Sequence, residues 1–332
     1  KEAWQHALNA LKLLGAGKST ENKATVDSKQ TRLAWLLTLA PHGALLEPRE
    51  QKLGAKKQWS KGRAVALRRL LDEPESFDYL QEADRQLLRY IRTHHDQHHY
   101  ATSSAWELDA EKALPCLVGH PAVFWGDAPD VHIDVVAGSV ALQLQESDAQ
   151  IRLRLSPAKI TADSEVVWEK DTPTRLLVYS VSREIRQIAA ILGRELTVPV
   201  AAKAQLVEAV TSIAPLVPIH SDLPELAANV DAVPADGTLY AHLLPLAQGL
   251  RLQLLVRPLP GGSWSRPGQG LETIVGELDG RTVQTQRRLK AEKAALQKVL
   301  DACPGLAAAE SDGQEWQLPD PQAALQVLSE LQ

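Results

Sequence analysis

The spacing of apolar residues changes character twice along the chain, and three sections follow from it. Residues 1–115 carry mainly helical spacing. Trp4, Leu8, Leu11 and Leu14 recur every three or four positions, which places them on one helical face. A polar stretch over residues 15–30, rich in Lys, Ser, Thr and Asn, reads as a loop. Residues 32–39 form an apolar run too short for its period to separate a buried strand from a helix. Pro48 opens a helical pattern that residues 61–71 continue, and residues 83–93 and 106–114 predict two further amphipathic helices.

Residues 116–214 alternate instead. Runs at 131–136, 140–145, 151–155, 166–169 and 175–181 predict strands, with Ala137-Gly138 and residues 146–148 at turn positions, so an antiparallel meander is expected. Helices follow at 183–192 and 201–213. The third section, residues 215–332, has strand-like runs at 239–244, 250–256 and 272–278. Asp279-Gly280 is the strongest hairpin signal in the chain and leads into residues 282–285. A long helix over 287–302 stops at Cys303-Pro304-Gly305, because Pro cannot continue it and Gly can cap it; a short helix closes residues 319–331. The expected class is α+β: a helical N-terminal domain (1–115), a central antiparallel β-meander with helices (116–214), and a C-terminal β-hairpin plus long helix (215–332). No repeat of solenoid period occurs.

Composition narrows the function classes. The chain has 332 residues, 44% hydrophobic and 23% charged, which excludes a disordered tail, a collagen-like fibre and a disulfide-stapled miniprotein. No apolar run approaches the roughly 20 residues that span a bilayer. Residues 33–46 come nearest and are broken by Pro41 and His42, so no membrane partner is expected. Residues 1–14 are amphipathic rather than a signal peptide's apolar block. Cys116 and Cys303 stand far apart with no paired Cys/His spacing, which signals neither zinc nor a disulfide framework and suits a reducing, cytoplasmic setting. Eight Trp stand against two Phe, and Met is absent.

Net charge is -5, so only a local basic patch can attract phosphate. Residues 49–69 hold eight Lys or Arg against the single acid Glu50. Arg49, Lys52, Lys57, Lys61 and Arg63 are the phosphate-binding candidates, and Trp59 in their midst would stack on a base or brace the helix. The competing reading is a solvated helical face, partly neutralised by Asp72, Glu73 and Glu75. A second candidate is the loop carrying Arg257, Trp264 and Arg266. Arg287 and Arg288, followed by Lys290 and Lys293, open the last long helix, where the helix dipole disfavours cations unless they face an anion. That placement points to an external acidic partner.

Other chemistries fall short. Residues 15–20 (Gly-Ala-Gly-Lys-Ser-Thr) resemble the end of a phosphate-binding loop, but Lys12 occupies the place of its first Gly and an amphipathic helix precedes it instead of a strand. His94 and His98 would share one helical face, as would His95 and His99, a spacing that can hold a metal. No base sits between the pairs and no third ligand stands nearby, so a solvated helix end competes with the metal-enzyme reading and no metal site is assigned. No Gly-x-Ser-x-Gly elbow occurs. No catalytic residue is assigned.

Several blocks resemble one family. Leu46-Glu47-Pro48-Arg49-Glu50-Gln51-Lys52 followed by Gln58-Trp59-Ser60-Lys61-Gly62-Arg63 is similar to a block near the start of very large bacterial Snf-type DEAD/DEAH-box helicases. Tyr79-Leu80-Gln81-Glu82-Ala83-Asp84-Arg85 and Gly119-His120-Pro121-Ala122-Val123-Phe124 continue it. Ser221-Asp222-Leu223, Val256-Arg257-Pro258, Pro267-Gly268-Gln269-Gly270 and Cys303-Pro304 follow in the right order. The resemblance runs from about residue 32 to the end and includes none of the motor's catalytic signatures. It implies a non-catalytic N-terminal accessory region of a nucleic-acid-dependent ATPase. DNA or RNA and the protein's own C-terminal motor would be its partners, other proteins a further class, and ATP and Mg would belong to the motor alone. A protein-interaction scaffold that never touches nucleic acid is the rival.

Overall fold

The computed structural model describes residues 31–40, 43–55, 58–95, 104–227, 230–246, 249–312 and 315–331. It is α+β, and it divides into two compact units. One comprises the described residues up to Ala137 together with Thr174–Val178; the other holds Gly138–Pro173 and Tyr179 onward. Residues 116–137 and 174–178 therefore group with the N-terminal section, and the rest of the central section shares a unit with the C-terminal one.

The first unit is built on strands, which corrects the helical expectation for residues 48–71, 83–93 and 106–114. Strand Thr31–Ala40 pairs antiparallel with Gly43–Lys52 along its full length, from Thr31 opposite Lys52 to Ala40 opposite Gly43. It also pairs parallel with Val123–Trp125, so it is a central strand and its apolar run Leu33–Leu37 is buried. The short run that period could not type is a strand because it has partners on both sides. Pro48 sits within a strand opposite Trp35, and its carbonyl accepts the Val65 N–H. Only short helices remain, at Leu67–Asp72, Glu82–Leu87 and Ala110–Ala113. Strands Ile91–His95 and Ser104–Leu108 replace parts of the two further predicted helices. The helix foreseen over residues 1–14 and the loop at 15–20 lie outside the described residues.

The second unit contains a seven-stranded sheet. In order across it stand Leu196–Pro199, Gln150–Ser156, Ala141–Ser147, Ile219–Ser221, Thr273–Leu278, Arg281–Gln286 and Asp231–Ala232. The hairpin between Ala141–Ser147 and Gln150–Ser156 fits the expected meander. The meander as a whole does not form. Ile219–Ser221 inserts parallel to Ala141–Ser147 and antiparallel to Thr273–Leu278, and in the first unit Arg175–Val178 pairs parallel with Asp134–Ala137. The Asp279-Gly280 hairpin joins Thr273–Leu278 to Arg281–Gln286. Helices Arg183–Leu192 and Lys203–Ile213 form close to their expected bounds, the first with the Ser182 side chain accepting the Ile185 N–H at 3.2 Å.

A four-stranded antiparallel sheet in the same unit runs in the order Tyr240–Leu246, Gly249–Leu255, Glu315–Leu318, Glu310–Asp312. Helices Leu289–Ala302 and Pro321–Glu330 supply apolar side chains to its core, where Leu252, Leu254, Cys303, Leu306, Trp316 and Val327 cluster. Trp35, Trp125 and Trp316 are buried, so Trp provides much of the aromatic core of a chain poor in Phe. No helix among the described residues is long and apolar enough to cross a membrane.

Candidate functional site

The basic cluster of residues 49–63 lies on a strand ribbon, not a helix, and the ribbon divides it between two faces. Gly43–Lys52 pairs with Arg63–Ala64, setting Glu50 opposite Arg63 and Arg49 opposite Ala64. Farther along, Leu53 bridges Trp59, and Lys52 and Ser60 exchange hydrogen bonds. The ribbon accommodates one extra residue at Gly62, whose φ of +82° favours glycine and whose Cβ would crowd Arg49 and Gln51.

Strand alternation does the rest. Arg49, Gln51 and Leu53 share one face with Trp59 and with Arg32, whose Nε donates to Gln51 at 2.8 Å. The Arg32 guanidinium lies 4.1 Å from the Trp59 ring centroid, so Trp59 braces the ribbon. Burial pulls Arg32 down to about 10, leaving it charged at neutral pH. Arg49 stands 3.9 Å from Glu47. Glu50, Lys52 and Arg63 occupy the other face. Arg63 is 75% exposed and stands 3.6 Å from Glu50, a pair worth about 0–1 kcal/mol that an incoming phosphate can displace. Lys61 is exposed; Lys57 lies outside the described residues.

Three of the blocks carrying the sequence resemblance, 46–63, 79–85 and 119–124, meet here. Tyr79 donates its hydroxyl to Glu50 at 2.7 Å. Burial and that hydrogen bond hold the Tyr79 hydroxyl well above its usual range. Asp84 Oδ1 accepts the Trp35 indole N–H at 2.7 Å and stands 3.0 Å from His120 Nε2, while Oδ2 accepts the Gln81 N–H. The Ala122 N–H donates to His120 Nδ1, which assigns the hydrogen to Nε2. This network is buried structure, with Asp84 1% exposed.

The His-rich segment loses its helical premise. His94 lies in strand Ile91–His95 opposite Ala105, and His98 lies outside the described residues. Among the described residues no three His, Cys, Asp or Glu side chains gather as a metal-holding group.

In the second unit the structure brings Arg266 and Arg287 together around a cavity of about 560 Å³. Its floor is one face of the seven-stranded sheet. Arg154 pairs across the strands with Gln143, and Gln143 with His220, so the three form a row. Gln145 and Ser156, two residues along, share that face. Opposite parity buries Leu142, Leu144, Leu153 and Leu155 on the other face. The loop from Ser265 to Leu271 forms the remaining wall.

Arg287 fixes that loop. Its Nη1 donates to Gln269 O at 2.7 Å, its Nη2 to Arg266 O at 3.1 Å, and Nε and Nη2 grip Glu292 at 3.0 and 2.6 Å. Glu292 also accepts the Gly268 N–H. The anion that this cation faces is therefore internal, which removes the argument for an external acidic partner at Arg287. The helix itself begins at Leu289, with exposed Arg288 as its N-cap. Arg266 is held from behind by Asp171 at 2.6 Å. Arg154 donates Nε to the neutral Gln143 at 3.2 Å. Burial, and then the charge of Arg287, pull His220 down to about 4, so its imidazole is neutral at neutral pH.

Arg257 and Trp264 lie outside this cavity. Arg257 donates to Gly262 O at 2.9 Å and lies 5.2 Å over Trp264, whose ring meets Tyr240 and His242 edge-on. Sequence reasoning missed Gln143, Gln145, Arg154 and His220. Alternation gave them a shared polar face in principle, but the pairing that adds His220 joins residues far apart in the chain. No protein-family model, no curated protein and no solved structure matches this chain.

Proposed function

We propose that this chain is a non-catalytic accessory region of a Snf-type nucleic-acid-dependent ATPase, acting in the cytoplasm and contacting DNA or RNA through its cationic ribbon. The observation that carries this reading is the exposed set Lys52, Lys61 and Arg63, of which Arg63 stands beside Glu50, a carboxylate already engaged by Tyr79. The sequence resemblance supports it: blocks 46–63, 79–85 and 119–124 meet in one hydrogen-bonded neighbourhood. Cys116 and Cys303 are free thiols, in keeping with a reducing compartment.

Fluorescence anisotropy with labelled single-stranded and duplex DNA across a range of salt tests the reading. Micromolar binding is expected, weakening by about 0.9 log units per tenfold rise in salt for each phosphate contacted in duplex. Unchanged affinity and salt slope in Lys52→Glu/Lys61→Glu/Arg63→Glu would end the assignment.

A scaffold that docks proteins instead is favoured by internal pairing of several candidate cations: Arg49 with Glu47, Arg68 with Asp72, Arg69 with Glu73, and Arg266 with Asp171. Absence of DNA binding at low salt would select it.

A further inference from the structure

The cavity of the second unit has a charge pattern that the ribbon does not explain. Three arginines, Arg154, Arg266 and Arg287, line it, and among the described residues no Asp or Glu does. Asp171 and Glu292 hold Arg266 and Arg287 by ion pairs, and neither carboxylate is among the residues that line the cavity. Arg154 donates its Nε to the neutral amide of Gln143, and among the described residues it has no ion-pair partner, so it adds a positive charge to the wall. Guanidinium forks match the oxygen geometry of phosphate, and a monoester carries close to two negative charges where a chain phosphodiester carries one.

The neutral lining is equally specific. Gln143, Gln145, Ser156 and Ser265 present amides and hydroxyls, and Leu271 is the one aliphatic side chain among the lining residues. Such a wall suits a hydroxylated body better than an aromatic or aliphatic one. A volume of about 560 Å³ lies in the range of small-molecule sites.

We propose that this cavity binds a phosphate monoester carried on a hydroxylated body, as in a sugar phosphate or nucleotide, with Arg154 and Arg266 on the phosphate and Gln143 and Gln145 on the body. The ester is either a free metabolite or the 5′ end of a nucleic-acid strand. Arg287 holds the loop and adds charge. His220, neutral and beside Gln143 in the sheet, contributes a hydrogen bond.

Isothermal titration of the 332-residue chain with ribose 5-phosphate, adenosine 5′-monophosphate and inorganic phosphate tests the site. A 5′-phosphorylated oligonucleotide and its 5′-hydroxyl counterpart are compared in the Lys52→Glu/Lys61→Glu/Arg63→Glu background, which silences the ribbon. Saturable binding of an ester is expected, about tenfold or more tighter than inorganic phosphate. Arg154→Gln should weaken it about tenfold or more. Gln145→Glu, which sets a carboxylate at the lining, should do the same. Both positions are exposed, so both variants should keep the wild-type thermal midpoint. A preference for the 5′-phosphorylated strand assigns the site to strand ends; equal strand binding with tight ribose 5-phosphate assigns it to a free ester. The proposal is overturned if no ester saturates, if inorganic phosphate binds as tightly, or if both variants bind like wild type.

Discussion

Asp84 gathers three donors in the first unit, from Trp35, His120 and the Gln81 backbone, and replacing it leaves two buried ring N–H groups without an acceptor. Asp84→Ala should cost about 3–5 kcal/mol in urea denaturation. A loss under about 1 kcal/mol would show that water already serves these groups. His220 gives a residue-scale pH dependence. Its folded value is lowered from 6.5 to about 4 by burial and by Arg287, while Arg154, two strands away on the same sheet face, and Arg266 across the cavity are further cations around it. The unfolded chain therefore binds the proton more readily. The histidine's contribution is fully present above about pH 6.5 and is lost as pH falls toward 4, a change on the order of a few kcal/mol. Thermal midpoints at pH 7 and 4.5 should differ more for wild type than for His220→Gln; equal differences would place the acid sensitivity elsewhere.

At the scale of elements, legibility tracks the locality of the signal. Helix Arg183–Leu192 was readable because its buried residues Ile185, Ile188, Ala189 and Leu192 follow the helical period, and Ser182 caps it. Ser182→Ala should cost about 1 kcal/mol in the same denaturation. The Asp279-Gly280 turn was readable for the same reason: both residues have positive φ, 51° and 75°, which few residue types adopt. Gly280→Val should cost roughly 1–2 kcal/mol, and a neutral outcome would mean that the turn relaxes into another type. The segment around Pro48 misled because its helix-like spacing is a weak signal beside ten residues of pairing with a buried central strand. Tertiary pairing overrode local preference.

For the whole molecule, the ribbon separates bracing from binding. Trp59→Ala removes the ring beneath Arg32, so it should lower the thermal midpoint while leaving the salt slope of DNA binding near wild type. Reversing Lys52, Lys61 and Arg63 should do the opposite, since all three are exposed. If Trp59→Ala instead abolishes binding of single strands with stability unchanged, the ring stacks on a base and the face assignment fails. The second unit makes the same point about assembly. Its cavity joins a hairpin at 141–156, a strand at 219–221, a loop at 265–271 and Arg287, and no linear motif spans them.

The sequence alone determined the α+β class, the C-terminal hairpin, the helices at 183–192, 201–213 and 287–302 to within two residues at their starts, and the cluster of positive charge. Each of these is written in neighbours a few residues apart, as a period, a cap, a turn pair or a run of like residues. Only the tertiary structure decided that residues 43–52 are strand, that Trp59 faces Arg32 while Arg63 faces solvent, that Arg287 spends its charge on Glu292, and that Arg154, Gln143 and His220 stand in a row. Those outcomes depend on which distant segments pair and in what register. A register shift of one residue would turn every side chain of a strand to the opposite face, and no local pattern records that choice.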